Sequence, residues 1–208
     1  MNIVVIGDSG HAKVIKDIVF ASGNDVIGIL DDKYIDIVIE NKIVKGPITY
    51  LNQLLKDDQV KVIIAIGNNN IRQKIVSRIN IPDNRYFTCI HPTAIVSPSA
   101  IIGNGTVIMP GVIINADACV GMHSIINTNA IVEHDCLIEN YVHISPASVV
   151  TGGVKIADGV HLGASSSVIP LVKIGSWTTV GAGAVVVRDL PANCTAVGAP
   201  AKPIKFHE

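Results

Sequence analysis

The sequence has 208 residues, with 16 lysines and arginines against 17 aspartates and glutamates, a formal charge of −1. That balance excludes a nucleic-acid binder relying on excess positive charge, and the chain holds no run of about 18 apolar residues that would span a membrane. The four cysteines form no C-x-x-C pair, which argues for small buried thiols rather than a zinc ribbon or a disulfide framework.

Hydrophobic residues make up 49% of the chain, ample for a core. Rings contribute little: Ile, Leu and Val account for 69 residues, a stock suited to strands around a narrow interior. No Arg-rich or signal-like stretch precedes the first apolar run, so a cytoplasmic protein is expected.

In chain order, residues 2 to 6 read as a buried strand. Residues 11 to 22 read as a helix, with Val14, Ile15, Ile18 and Val19 at helical spacing. Strands are expected at 26 to 30 and 60 to 66, and helices at 48 to 55 and 69 to 79. This pattern predicts a Rossmann-like α/β domain with a parallel sheet over residues 1–88.

From residue 89 onward the pattern changes. Every sixth residue from Val96 to Val186 is aliphatic, without a gap, and the position four residues later is mostly small: Ala118, Ser124, Ala130, Ser148, Thr178. A period of six fits neither a helix at 3.6, nor a heptad, nor a simple strand at two. It fits an all-β parallel β-helix over residues 89–208: each unit is a short strand and a corner, and three units close a triangular coil. Coils stacked at about 4.8 Å make a prism roughly 25 Å tall. The aliphatic residue points inward, and the small one leaves room at the corner.

Two segments carry chemistry. Glu133, His134, Asp135 place an imidazole between two carboxylates on one unit, where an acidic neighbour raises the basicity of the ring and sets its tautomer. Its stacking neighbours 18 residues away are Ala116 and Gly152, small enough to leave space. Taken alone, the same pattern also describes a solvated corner histidine. His143 and His161 lie one coil apart, and their rings are expected to stack about 5 Å apart on one edge, where His161 reads as part of a polar ladder. The runs Thr151, Gly152, Gly153 and Val180, Gly181, Ala182, Gly183 permit close backbone approach. His91, His123 and His207 are assigned no chemistry, and the spacing of His and Cys disfavours a metal site.

The second segment, Gly7, Asp8, Ser9, Gly10, His11, joins the first strand to the first helix, placing backbone donors where a phosphate could lie. Ser9 and Ala12 stand where a dinucleotide fingerprint wants glycines, so NAD is disfavoured. Asp31 and Asp32 end the second strand, placed to accept hydrogen bonds from a ribose or a base; a helix cap plus a charged turn is the structural alternative.

Residues 91 to 203, closing on Ala196, Val197, Gly198, Ala199, Pro200, Ala201, Lys202, resemble the hexapeptide-repeat acyltransferases, in which many members have Asn where Ala199 stands. With its front domain the whole chain is similar to two-domain sugar acetyltransferases of the bacillosamine and sialic-acid types. The resemblance implies a left-handed β-helix, His134 as general base and Asp135 as its helper, leaving open whether Asp135 or Glu133 contacts the ring. It places His143 against the acetyl-CoA thioester, with Gly152, Ala164 and Ala182 along the cofactor groove. Ser9, Gly10, His11, Asp31 and Asp32 would hold the nucleotide of a UDP-sugar, with Gly67 and Asn68 on the same rim. It further implies a homotrimer with active sites between subunits. The function expected is acetyl-CoA-dependent, metal-free N-acetylation of the amino group of a UDP-linked amino-deoxy sugar for bacterial surface glycans. A sialic-acid-type O-acetyltransferase is the neighbouring expectation, and a non-catalytic nucleotide-sugar-binding solenoid the one from another class.

Overall fold

A computed structural model describes residues 1–207, which divide into two compact units, one ending at Pro92 and the other beginning at Thr93. Cys89, which the sequence assigned to the second domain, is fully buried, and its strand packs against the first helix, so the first unit runs four residues past the expected boundary at 88.

The first unit contains β1 (Asn2–Ile6), α1 (Gly10–Ala21), β2 (Asp25–Leu30), β3 (Val38–Glu40), β4 (Ile43–Gly46), a 3-10 turn running into α2 (Leu51–Leu54), β5 (Val60–Ile64), α3 (Asn69–Ile79) and β6 (Cys89–Ile90). The central sheet has the order β3-β4-β2-β1-β5. Val4, Ile6, Leu30, Val62 and Ile64 form one core with Ile48, Leu51 and Ile75, while Ile15, Ile18 and Val19 bury one face of α1. Val14, expected on that face, is exposed. Both sheet faces are covered, which explains why β1 and, apart from Lys61, β5 read as apolar runs rather than alternating ones.

The sheet is parallel except for β3, which pairs antiparallel with β4 through Glu40↔Ile43. The sequence reading missed this hairpin. Its turn residues, Asn41 and Lys42, have φ of 50° and 67°, without the glycine that normally marks such a turn. All three β3 residues are exposed, so they show no buried alternation to read.

The second unit is a triangular prism of sixteen two-residue strands, Ile95–Val96 through Val185–Val186. Strands three units apart pair in parallel and form three faces. The first face stacks the strands beginning at residues 95, 113, 131, 149, 167 and 185; the second, those at 101, 119, 137, 155 and 173; the third, those at 107, 125, 143, 161 and 179. The second residue of each pair points inward: Val132, Ile144 and Val150 are fully buried. Cys194–Val197 extends the third face in parallel and pairs antiparallel with Lys202–Phe206.

Corners repeat one geometry. A residue with left-handed backbone, such as His123, Asn129 or Asp135, turns the chain, and its N–H bonds the carbonyl of the corner one coil earlier. The small buried position is also used chemically. Hydroxyls of Thr106, Ser124 and Ser148 donate to the carbonyls of Gly121, Glu139 and Gly163 at 2.7, 3.0 and 2.8 Å. These bonds satisfy groups that the apolar interior would otherwise isolate.

Candidate active site

His134 stands on the edge that joins the first and second faces, between strands Ile131–Val132 and Leu137–Ile138. Buried Val132 and Ile138 anchor both sides of this corner, and buried Cys136 donates its thiol to the Thr151 carbonyl at 3.1 Å. The corners above and below are tied to it: Asp135 N–H donates to the Ala116 carbonyl at 3.1 Å and Gly153 N–H to the His134 carbonyl at 3.0 Å. The expected stacking neighbours, Ala116 and Gly152, therefore flank His134.

Asp135 makes the contact with the ring, its Oδ2 2.7 Å from His134 Nδ1. A carboxylate only accepts, so Nδ1 carries the proton and Nε2 keeps a lone pair. The Asp135 hydrogen bond holds His134 above the usual imidazole range, with weaker help from the charges of Asp135 and Glu133. Both side chains are about two-thirds exposed, at 63% and 66%. A Cβ built on Gly152 would lie 2.7 Å from both Cε1 and Nε2 of His134, so only glycine admits the ring there.

His143 and His161 lie on strands of the third face rather than on an edge, in direct register. Their rings stack with centroids 4.8 Å apart and planes 2° apart, close to the spacing expected from the coil height. Asn127 Nδ2 lies 3.0 Å from His143 Nε2, and Ser145 Oγ lies 2.9 Å from His161 Nε2. Ala164 and Ala182 occupy successive corners between the third and first faces, joined by a 2.8 Å bond from Gly183 N–H to the Ala164 carbonyl. Gly152 shares the edge of His134. A single prism thus distributes the expected cofactor residues over two edges and a face. A groove of about 380 Å³ lies on the second face, with Lys155 and Lys173 one coil apart on its wall.

In the first unit, Ser9, Gly10 and His11 open α1 at the carboxyl end of β1. Ser9 occupies the cap position without a side-chain cap bond. His11 Nε2 is buried with no hydrogen-bond partner, and burial, then the Arg72 charge, push the ring down to about 4, so it is neutral at physiological pH. The two aspartates are already engaged. Asp31 accepts from Asp8 N–H at 2.8 Å and Lys33 N–H at 3.0 Å, bracing the Gly7 loop against the turn after β2. Asp32 forms a two-pronged ion pair with Arg78 at 2.8 and 3.1 Å. That pair borders a depression of about 250 Å³ lined also by Ile48, Thr49, Leu51, Asn52 and Ile79. Asn68 caps α3 by accepting from Ile71 N–H at 3.0 Å, and the Gly67 carbonyl accepts from Arg72 at 3.2 Å.

The sequence reading missed two groups here. Asp8 accepts from the Tyr34 hydroxyl at 2.5 Å and pairs with Lys33 at 3.0 Å; the Tyr34 bond chiefly holds its carboxyl below the usual range. Arg72 is fully buried and bonds the Ile66 and Gly67 carbonyls and Asn69 Oδ1. Its signal was readable: Asn69, Arg72, Ile75 and Ile79 share one stripe of α3 at helical spacing. No group of three or more His, Cys, Asp or Glu residues among those described is placed to hold a metal ion.

The family model of the PglD N-terminal domain matches residues 2–79. The perosamine N-acetyltransferase of Caulobacter crescentus, crystallised as a histidine variant with CoA and GDP-perosamine, is 40% identical with a TM-score of 0.89, the match covering 99% of this chain and 97% of that one. The chain belongs to the hexapeptide-repeat amino-sugar acetyltransferases. Its architecture is accordingly the Rossmann-like α/β domain and left-handed β-helix of that family. The acetyltransferase domain of PglB from Neisseria gonorrhoeae FA1090, solved with acetyl coenzyme A, is 35% identical with a TM-score of 0.85 over 98% of both chains. The UDP-N-acetylbacillosamine N-acetyltransferase of Bacillus subtilis (strain 168) is 45% identical over 112 residues, which span 52% of this chain and 51% of that enzyme, about half its length.

Proposed function

We propose that this chain is an acetyl-CoA-dependent N-acetyltransferase of the cytoplasm that acetylates the amino group of a UDP-linked 4-amino-deoxy sugar for bacterial surface glycans. The observation that carries this reading is the His134–Asp135 pair on a prism corner that Gly152 keeps open. The neutral amine attacks the thioester carbonyl, a C–N bond forms, and the C–S bond breaks as CoA leaves. His134 Nε2 takes the amine proton, Asp135 holds the resulting imidazolium, and that proton returns to the departing thiolate. His143 faces the thioester, and Gly152, Ala164 and Ala182 lie along its pantetheine arm. The front unit would hold the nucleotide through Ser9, Gly10 and His11, whose orphaned Nε2 offers one buried polar contact. Asp31, Asp32, Gly67 and Asn68 act mainly by shaping that rim, since their polar groups are already bonded within the chain.

A homotrimer completes the site. The outward column of the first face reads Ile95, Ile113, Ile131, Val149, Ser167, Val185, an apolar strip interrupted by Ser167 and suited to a threefold axis. Such packing would bring the His134 edge of one prism toward the third face of its neighbour.

The test is turnover of acetyl-CoA with UDP- and GDP-linked 4-amino sugars, because the perosamine N-acetyltransferase, which matches 99% of this chain, was crystallised with GDP-perosamine. The UDP-sugar is expected to be the better acceptor, and His134→Ala to lose about 10²-fold or more in kcat. Unchanged turnover in that variant would reject the proposed base, and preference for the GDP-sugar would reassign the nucleotide.

A further inference from the structure

We infer that the depression beside the Asp32–Arg78 pair is a nucleobase pocket, in which the Asn52 carboxamide bonds the edge of the base and the Arg78 guanidinium stacks on its face. The inference deepens the nucleotide-sugar reading and rests on it for the class of ligand.

The depression holds about 250 Å³, below the roughly 300–1,000 Å³ of a pocket that takes a whole small molecule, so it suits one end of a larger ligand. Its chemistry says which end. The two charged groups on its wall, Asp32 and Arg78, neutralise each other through bonds of 2.8 and 3.1 Å, so a phosphate gains little there. Ile48 and Leu51, 6% and 3% exposed, supply apolar surface. Thr49 and Asn52 bring exposed polar side chains to the same wall, and among the described residues neither side chain has a hydrogen-bond partner. A sugar ring would press hydroxyls against Ile48 and Leu51 without partners, which is costly. A base is flat and neutral, with apolar faces and donors and acceptors confined to its edge. A carboxamide carries a donor and an acceptor side by side and matches such an edge. The two-pronged bond to Asp32 fixes the plane of the Arg78 guanidinium, and a planar cation held in place stacks well on a flat ring.

Position agrees with chemistry. Asp31 accepts from Asp8 N–H at 2.8 Å and so ties the turn after β2 to the loop that opens α1. Asp32, the next residue, borders the depression. The loop proposed for the phosphates and the depression therefore flank one short turn. A nucleoside diphosphate has the same order: an anionic end, a ribose, and a neutral flat end.

Isothermal titration of the full-length protein with UDP, and in parallel with GDP, tests this. Thr49→Phe should fill the depression, and Asn52→Asp replaces a donor and acceptor by acceptors alone. Each is expected to weaken the better-bound nucleotide about tenfold or more. Both positions are exposed, so thermal melting should show folded proteins. Nitrogen-15 NMR gives a second readout. The side-chain amide signal of Asn52, identified by its loss in Asn52→Asp, should shift when the nucleotide is added to the wild type. Wild-type affinity in both variants, or an Asn52 amide unmoved in the nucleotide-bound protein, would overturn the pocket alone. Absence of binding by either nucleotide would overturn the pocket together with the nucleotide-sugar reading. Binding that depends on Thr49 and Asn52 in a protein without acetyl-CoA-dependent turnover would reject the acetyltransferase reading and leave the pocket standing.

Discussion

Asp135 raises the pH at which His134 gives up its proton. Its hydrogen bond raises the pKa of the ring above the ordinary imidazole value of 6.5, so the proton is held to higher pH and the basic form accumulates only above that raised value. The rate kcat/KM should therefore climb with pH through an inflection above 6.5. Asp135→Asn keeps the shape but removes the charge. It should move the inflection downward and lower the plateau by about tenfold or more, because the imidazolium formed during attack loses its partner. A pH–rate profile of the two proteins checks this, and coincident inflections would remove Asp135 from the mechanism. Both side chains are largely exposed, so the substitution should leave thermal stability almost unchanged.

The corner is the element that carries the proposed base, and its construction depends on what lies one coil away. Gly152 has no left-handed backbone to protect; its need for glycine comes from the His134 ring 2.7 Å from where a Cβ would sit. Gly152→Ala should therefore push the ring aside without disturbing the coil. A displacement of about 1 Å at a reacting group costs on the order of 10²-fold in rate, so kcat/KM should fall 10- to 100-fold while the melting temperature moves by only about a degree or two. Kinetics alongside thermal denaturation separate the two effects. Full activity in this variant would show that the imidazole works from another rotamer. On the edge between the second and third faces, a Cβ on Gly159 would run into the Trp177 ring, and there a left-handed φ of 69° adds its own requirement for glycine, so accommodation of a ring by the preceding or following corner recurs in this prism.

In the whole molecule, the proposed residues fall on separate edges because a triangular coil turns its chain away from each corner after six residues. The proposed trimer would bring His134 with Gly152 and Ala164 with Ala182 to one acyl donor across two prisms. Ile131 points outward on the apolar first face, one strand before His134. Ile131→Glu should convert a trimer to monomers in light scattering and abolish turnover, with circular dichroism unchanged. A wild-type protein that is active as a monomer at assay concentration would remove the shared-site proposal.

The prism was largely legible in the residues. A six-residue aliphatic period is a property of the local chain, and it alone implies the coil, the inward set from Val96 to Val186, and the register that stacks His143 on His161 and Gly152 on His134. The front strands and helices were legible for the same reason, since apolar runs and helical stripes report burial directly. The hairpin β3–β4 was not, because an exposed edge strand with an Asn-Lys turn leaves no burial pattern. Side-chain partnership lay beyond any periodic signal. Which of Glu133 and Asp135 reaches the ring follows from a left-handed φ of 58° at Asp135, and the engagement of Asp31 and Asp32 follows from where Asp8 and Arg78 arrive from distant segments. Spacing along a chain specifies which residues share a face or a corner. The direction of a carboxylate, the tautomer of an imidazole and the partner of a buried guanidinium are set by groups that the chain brings back from tens of residues away.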